Sequence, residues 1–187
     1  MSASSLDRLR QLAARVDAFF AAVHSRHGAS MQCSSGCHNC CLPGLSCTPV
    51  EAAALRLALR SLPAEAREAL RLRALAPPSD RCILLDLQGR CVAYEARPLL
   101  CRSHGVPVRV RDRRGLPLVD ACIRNFSTEG PGALPASDVL DQQTLSTVLL
   151  AIDALHAQEQ GLAPGGRVEL LALALEEDPP VLEPAGP

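Results

Sequence analysis

Lysine is missing altogether: all 19 basic residues are arginine. That excludes a Schiff-base lysine and a phosphate-binding P-loop, which needs its lysine. Aromatic residues are almost missing too, with three Phe, one Tyr and no Trp. Stacking platforms for single-stranded nucleic acid are therefore not expected. A net charge of −1 gives no general attraction for nucleic acid or for an anionic membrane surface. No uninterrupted apolar run reaches the roughly 18 residues of a membrane span. The opening stretch MSASSLDRLRQLAARVDAFF has no basic segment followed by an apolar one, so it does not read as a secretory signal. The expectation is a cytoplasmic protein with neither a nucleic-acid nor a membrane partner. The Ala, Leu and Arg richness suits a GC-rich bacterial genome and says nothing about chemistry.

What the chain does have is cysteine, nine residues in 187. Nine is odd, and as a share of the chain it is below the roughly 8–10% that marks a disulfide scaffold. In a reducing cytosol, clustered cysteines more often serve metal or redox chemistry. Cys33, Cys37, Cys40, Cys41 and Cys47 fall close together, and Cys82, Cys91, Cys101 and Cys122 follow. None lies before Met31 or after Ile123.

The flanks read as helices. Leu6, Leu9, Ala13, Val16, Phe20 and Val23 recur at helical spacing, so residues 5–27 should form an amphipathic helix. Ser4 with Asp7 would cap it and Gly28 would end it. His24, His27 and His156 read as ordinary helix-surface residues. SMQCSSGCHNCCLPGLSC is an irregular loop by its small and turn-forming residues. Thr48-Pro49-Val50-Glu51 has the form of a capping box with Pro at N1, opening a helix to about Ser61. A further helix should follow Pro63 and stop at Pro77-Pro78.

The segment 82–98 reads as a small hairpin or paired loops around Gln88-Gly89, and 106–119 as a second hairpin around Arg113-Arg114-Gly115. Ser137 or Asp138 should open a long helix to Gln160. That helix would carry Leu145, Val148, Leu149, Ile152 and Leu155 on one side and stop at Gly161. RVELLALALEE suggests a last helix. One domain is expected over 1–177, with a Cys-rich metal core at 31–126, C-terminal helices at 138–177 and a disordered tail at 178–187.

Charge is uneven. Residues 81–124 carry nine Arg against four acids, whereas 125–187 carry one Arg against ten acids. The Arg surplus overlies the second group of cysteines. It would offset the negative charge of metal-bound thiolates, or form a solvated face or a docking patch for an anionic small molecule or a protein partner.

Cys33-x3-Cys37-x2-Cys40-Cys41 is the strongest motif. Short gaps let successive thiolates fold back on one metal, and thiolates select zinc, iron–sulfur clusters or Cu(I). Adjacent Cys40 and Cys41 do not readily aim at one point. The doublet therefore implies a second ion, a multi-iron cluster or a bridging thiolate. The bland alternative is a set of reduced, buried cysteines acting as small apolar fillers. The first three cysteines have the radical-SAM spacing. A helix precedes them here and no strand–helix alternation follows, so that chemistry is not expected.

CSSGCHNCC at 33–41, TPVEAAAL at 48–55, CILLDLQGRCVAYEARPLLCR at 82–102 and Cys122 with Asn125-Phe126 resemble the CxxCxxCC proteins. These are a zinc- or iron-chelating family also called YkgJ-type cysteine cluster proteins. Flagellin lysine methylases carry a related pattern. The resemblance implies a mainly α fold: a small helical domain around an irregular Cys-rich metal core, with one or two short β-hairpins. It implies iron, as an iron–sulfur cluster or a multi-iron site, or zinc. The metal ligands implied are Cys33, Cys37, Cys40, Cys41, Cys82, Cys91, Cys101 and Cys122. Cys47 lies outside the pattern and reads as a structural thiol.

Further groups could serve as ligands or support them. His104 follows Cys101 by three residues, and His38 lies inside the first motif. Tyr94 is the lone phenol, set between Cys91 and Arg97. Arg97 and Arg102 bracket Cys101, either anchoring its loop, binding an anion, or forming structural ion pairs. Glu95 and Asp120 are the nearest acids. Three functions remain open at this point: a metal carrier or electron-transfer module, a metal-dependent oxidoreductase or methyltransferase-like modifying enzyme, and a structural zinc interaction module.

Overall fold

A capping box starts the first helix. In the computed structural model, which describes residues 3–34, 36–76 and 79–176, the Ser4 backbone and hydroxyl both bond the Asp7 carboxylate. The Asp7 amide in turn donates to Ser4 Oγ. Helix α1 then runs Ser5–His27 and ends at Gly28. Its heptad-spaced Leu9, Val16 and Val23 are buried, and they point into three different apolar clusters along its length. The helix is therefore the spine of the fold.

Strand β1 (Ser46–Cys47) leads into α2 (Pro49–Arg60), which opens on the expected Thr48–Glu51 capping box with Pro at its first turn. Helix α3 spans Ala64–Leu75; the expected stop at Pro77-Pro78 lies outside the described residues. The 82–98 segment keeps only the minimum of a hairpin, an antiparallel bridge between Leu85 and Cys91. The Asp86 carboxylate caps the intervening turn by accepting the Gln88 and Arg90 amides. Helix α4 is short, Leu99–Ser103.

The second hairpin forms as β2 (Val108–Arg111) and β3 (Pro117–Asp120). A short strand β4 (Leu140–Asp141) adds parallel to β2, giving the order β3-β2-β4. Helix α5 (Gln142–Gln160) follows, then β5 (Val168–Glu169) and α6 (Leu170–Leu175). β5 pairs antiparallel with β1, so the last helix is tied to the start of α2. With six helices and only short strands among the described residues, the fold is mainly α.

Three expectations change. The long C-terminal helix begins at Gln142, capped by Asp141, whose side chain accepts the Thr144 amide. Asp138 is instead in a 3₁₀ turn, buried against α1, where Arg26 and His27 bond its carboxylate at 2.7 and 2.6 Å. On α5 itself, Val148 is 40% exposed, while Asp153 and His156 are buried. His156 is thus not a surface residue, and His27 is half-buried against Asp138. His156 Nδ1 lies 3.0 Å from the buried Ser5 hydroxyl, which also donates to Glu159. Sequence periodicity misplaced these residues because a polar side chain can sit on the inner face of a helix when its partner comes from another element. The proposed tail, 178–187, lies outside the described residues.

Two apolar clusters matter for the site. The larger joins α2, α3 and α6 through Leu55, Leu59, Leu70 and Leu173, with Leu84 and Ala93 from the bridge segment. The second joins the end of α1 to the hairpin region through Val23, Met31, Val106 and Phe126.

Candidate metal centre

The loop from Gln32 to Leu45 holds four of the cysteines, and its backbone is fixed by turns. The Cys37 amide bonds the Ser34 carbonyl, and the Cys41 amide bonds the His38 carbonyl. Two chain segments are sewn to this loop from outside. At its start, Asn125 reaches across: its Oδ1 accepts the Gln32 amide at 2.8 Å, and its Nδ2 donates to the Gly105 carbonyl at 2.6 Å and lies 3.3 Å from Cys33 Sγ. At its end, the Cys82 amide donates to the Cys41 carbonyl at 2.8 Å.

All nine cysteines are free thiols. Cys47 stands apart. It is buried at the β1–β5 pairing, where its thiol approaches the Val168 carbonyl at 3.7 Å. Burial pushes it up to about 12, so it is inert at neutral pH.

The other eight gather in two neighbourhoods. Cys33 feels the charge of Cys122, Cys37 and Cys40. Cys122 joins this side through the Asn125 amide, which bonds the Cys122 carbonyl. Arg124 Nη1 donates to Cys37 Sγ at 3.6 Å, an ordinary length for the larger sulfur atom. Cys41 feels Cys82, Cys101 and Cys91. Cys82 and Cys91 pack against the larger apolar cluster. Cys40 and Cys41 share a thiol–thiol hydrogen bond that raises Cys40 and lowers Cys41. Burial raises Cys33, Cys82 and Cys91, and it takes Cys101 to about 12. These groups are protonated at neutral pH, so a metal must displace their protons.

Among the described residues, no three His, Cys, Asp or Glu side chains converge as the ligands of a single ion would. The thiols are gathered but not drawn together. The donor set nonetheless suits a soft metal: eight free thiols, with an amide N–H and a guanidinium N–H directed at two of them. Such donors steady a thiolate and do not compete with it for the metal.

The supporting residues divide. Arg102 is buried; it pairs with Asp17 of α1 at 2.5 Å and caps the Arg97 and Glu95 carbonyls. Arg97 pairs with the same Asp17 at 3.1 Å and stacks 4.0 Å over the Tyr94 ring, and its charge offsets part of the rise that burial imposes on the Cys91 thiol. The two arginines thus fasten the segment around Cys101 to α1. Tyr94 is 57% exposed. His104 is exposed, with Asp120 as its charged neighbour. His38 Nδ1 lies 2.9 Å from the Gly36 carbonyl, and its ring packs on Gly89.

Sequence reasoning assigned no role to Arg124, Asn125 or Gly105. Gly105 has φ +111°, and a Cβ there would sit 2.7 Å from Cys33 Sγ. Only glycine lets the chain pass so close to the sulfur. The available signal was position: Asn125 and Arg124 follow Cys122 within three residues.

A cavity of about 520 Å³ adjoins the second group of thiols. Cys91, Tyr94, Arg97 and Leu99 form one side, and Leu9 of α1 and Leu57 of α2 are on the others. No helix among the described residues is long and apolar enough to cross a membrane.

No curated protein and no solved structure gives a significant match to this chain. A family model does match, over residues 32–116, a span that takes in seven of the eight gathered thiols and stops short of Cys122. Over that span the chain matches the model of the CxxCxxCC family, described as a "putative zinc- or iron-chelating domain".

Proposed function

We propose that this chain is a thiolate metalloprotein whose Cys33, Cys37, Cys40, Cys41, Cys82, Cys91, Cys101 and Cys122 hold iron, as an iron–sulfur cluster or multi-iron site, or zinc. The observation that carries the reading is the gathering of eight free thiols from four chain segments, while the ninth is buried elsewhere as a packing residue. Apolar filling alone would not bring together so many groups that repel one another once ionised. Nor would it direct N–H donors at Cys33 and Cys37. Bound iron would supply one-electron chemistry. The protein's own part is to bury the thiols, offset their charge with Arg97 and Arg124, and hold the Cys101 segment through Arg102 and Asp17.

A second reading, a metal-dependent modifying enzyme, is favoured by the cavity bordering Cys91. It would place a small substrate beside the second thiol group. The absence of nucleic-acid and membrane partners, and a cytoplasmic location, remain part of the proposal on charge and composition alone.

The test is metal and sulfide analysis, with absorption and Mössbauer spectra, on protein purified without oxygen. Iron with matching sulfide supports a cluster, and iron without sulfide supports a multi-iron site. Colourless protein with tightly held zinc supports a closed thiolate site. Protein that binds neither metal with micromolar or better affinity overturns the reading.

A further inference from the structure

We infer that the eight thiols form two separate metal centres, one from Cys33, Cys37, Cys40 and Cys122, the other from Cys41, Cys82, Cys91 and Cys101. This rests on the metal-binding reading and deepens it.

The first argument is where the two groups sit. Cys82 and Cys91 lie on the larger apolar cluster, built from α2, α3 and α6. Cys33 instead lies beside Gly105 and Asn125, and Phe20 approaches the same glycine. These flank the other cluster, with Phe20, Val106 and Phe126. Two different cores thus support the two groups.

Backbone stitching gives the second argument. Cys41 is joined to Cys82 through the main chain, and the Leu85–Cys91 bridge folds Cys91 back over the Cys82 turn. Asn125 and Arg124 join Cys122 to Cys33 and Cys37. Each set of links stays within its own group.

Cys40 follows Cys37 by three residues in the first loop, and its neighbour Cys41 is held to the second group by the Cys82 amide. Four thiols already make up the second group without Cys40. Assigned to the first, it completes four there too. Four thiolates satisfy a tetrahedral zinc site or a single iron–sulfur cluster. The adjacent pair Cys40-Cys41 then serves as the seam between centres.

The test is titration of the metal-free full-length chain with cobalt(II), followed by its sulfur-to-metal charge-transfer and d–d absorption. The wild type should take two equivalents with the intensity of tetrahedral thiolate coordination. Cys122→Ser and Cys91→Ser should each keep one tight equivalent. Their two residual spectra should sum to that of the wild type. Cys37→Ser and Cys101→Ser repeat the test from a second ligand of each group, and circular dichroism confirms that each variant is folded. Loss of both equivalents in a folded single variant, or one equivalent in the wild type, overturns the division and leaves metal binding standing. No tight cobalt in the wild type overturns metal binding itself.

Discussion

Asn125 is the residue on which the first thiol group depends, and its substitution gives a graded test. It is 3% exposed and makes three contacts: the Gln32 amide, the Gly105 carbonyl and the Cys33 sulfur. Asn125→Ala strands the buried Gly105 carbonyl and the Gln32 amide. A stranded buried polar group costs about 1–3 kcal/mol, so the pair together should cost roughly 3 kcal/mol, the Gln32 side being nearer to water. For a chain of this size that lowers the melting temperature by about 6–12 °C. Asn125→Asp is more informative. It keeps an oxygen for the Gln32 amide but sets a second oxygen against the Gly105 carbonyl, where an N–H now donates at 2.6 Å. The contact is restored only when the carboxyl is protonated. The folded pKa of the introduced carboxyl must therefore lie above the normal aspartate value of about 3.9. The native state then binds more protons than the unfolded one, so stability falls as pH rises through the folded pKa. Thermal unfolding followed by circular dichroism, at pH 5 and pH 7.5, reads both effects. The variant should lose ground against wild type on going to the higher pH. An Asn125→Ala protein melting within about 1 °C of wild type, or an Asn125→Asp deficit independent of pH, would refute the reasoning.

Four other outcomes are expected. Glu51, 4% exposed, accepts the Thr48 amide and hydroxyl and the Leu99 amide, so it joins the starts of α2 and α4. Glu51→Ala should cost about 3 kcal/mol by urea unfolding, from buried donors left unpaired, and should weaken metal retention at the Cys101 side. Gly105→Ala should lower cobalt uptake by one equivalent, because its Cβ would press on Cys33 Sγ and its φ is positive. Cys47→Ala should leave metal content unchanged and cost about 1 kcal/mol of stability, as expected for a small buried filler. Asp138 is held below the usual carboxylate range, chiefly by His27 and then by Arg26. Its contribution should be complete above about pH 4 and lost as pH falls through the lowered value. Asp138→Asn should remove that part of the acid sensitivity in unfolding curves recorded from pH 2 to 6.

The parts of the fold that could be read from sequence are those decided within a few residues. Ser4–Asp7 and Thr48–Glu51 are capping boxes of adjacent turns. Gly161 ends α5 in a left-handed conformation that glycine adopts without strain. The turn at Gly115 closes a hairpin of neighbouring strands. Such choices depend on local dihedral angles and nearby hydrogen bonds, and residue identity determines both. The donor chemistry was legible for the same reason, since cysteine number and spacing select soft metals whatever the fold.

Tertiary structure decided which thiols keep company. Cys33 and Asn125 are 92 positions apart, and Arg26 and Asp138 are 112 apart. No periodicity links residues at such distances. The start of α5 moved for the same reason: burial of Asp138 against Arg26 and His27 took it out of the helix. The sequence by itself determined that this chain has mainly helical flanks and a thiol-rich middle. Only the packing of α1 against the hairpin region, and of α2 against the bridge segment, set Cys33 beside Gly105 and Asn125 and laid Cys82 and Cys91 on the larger apolar cluster. The sulfur positions follow from which apolar surfaces are buried together, and that is a property of the assembled chain.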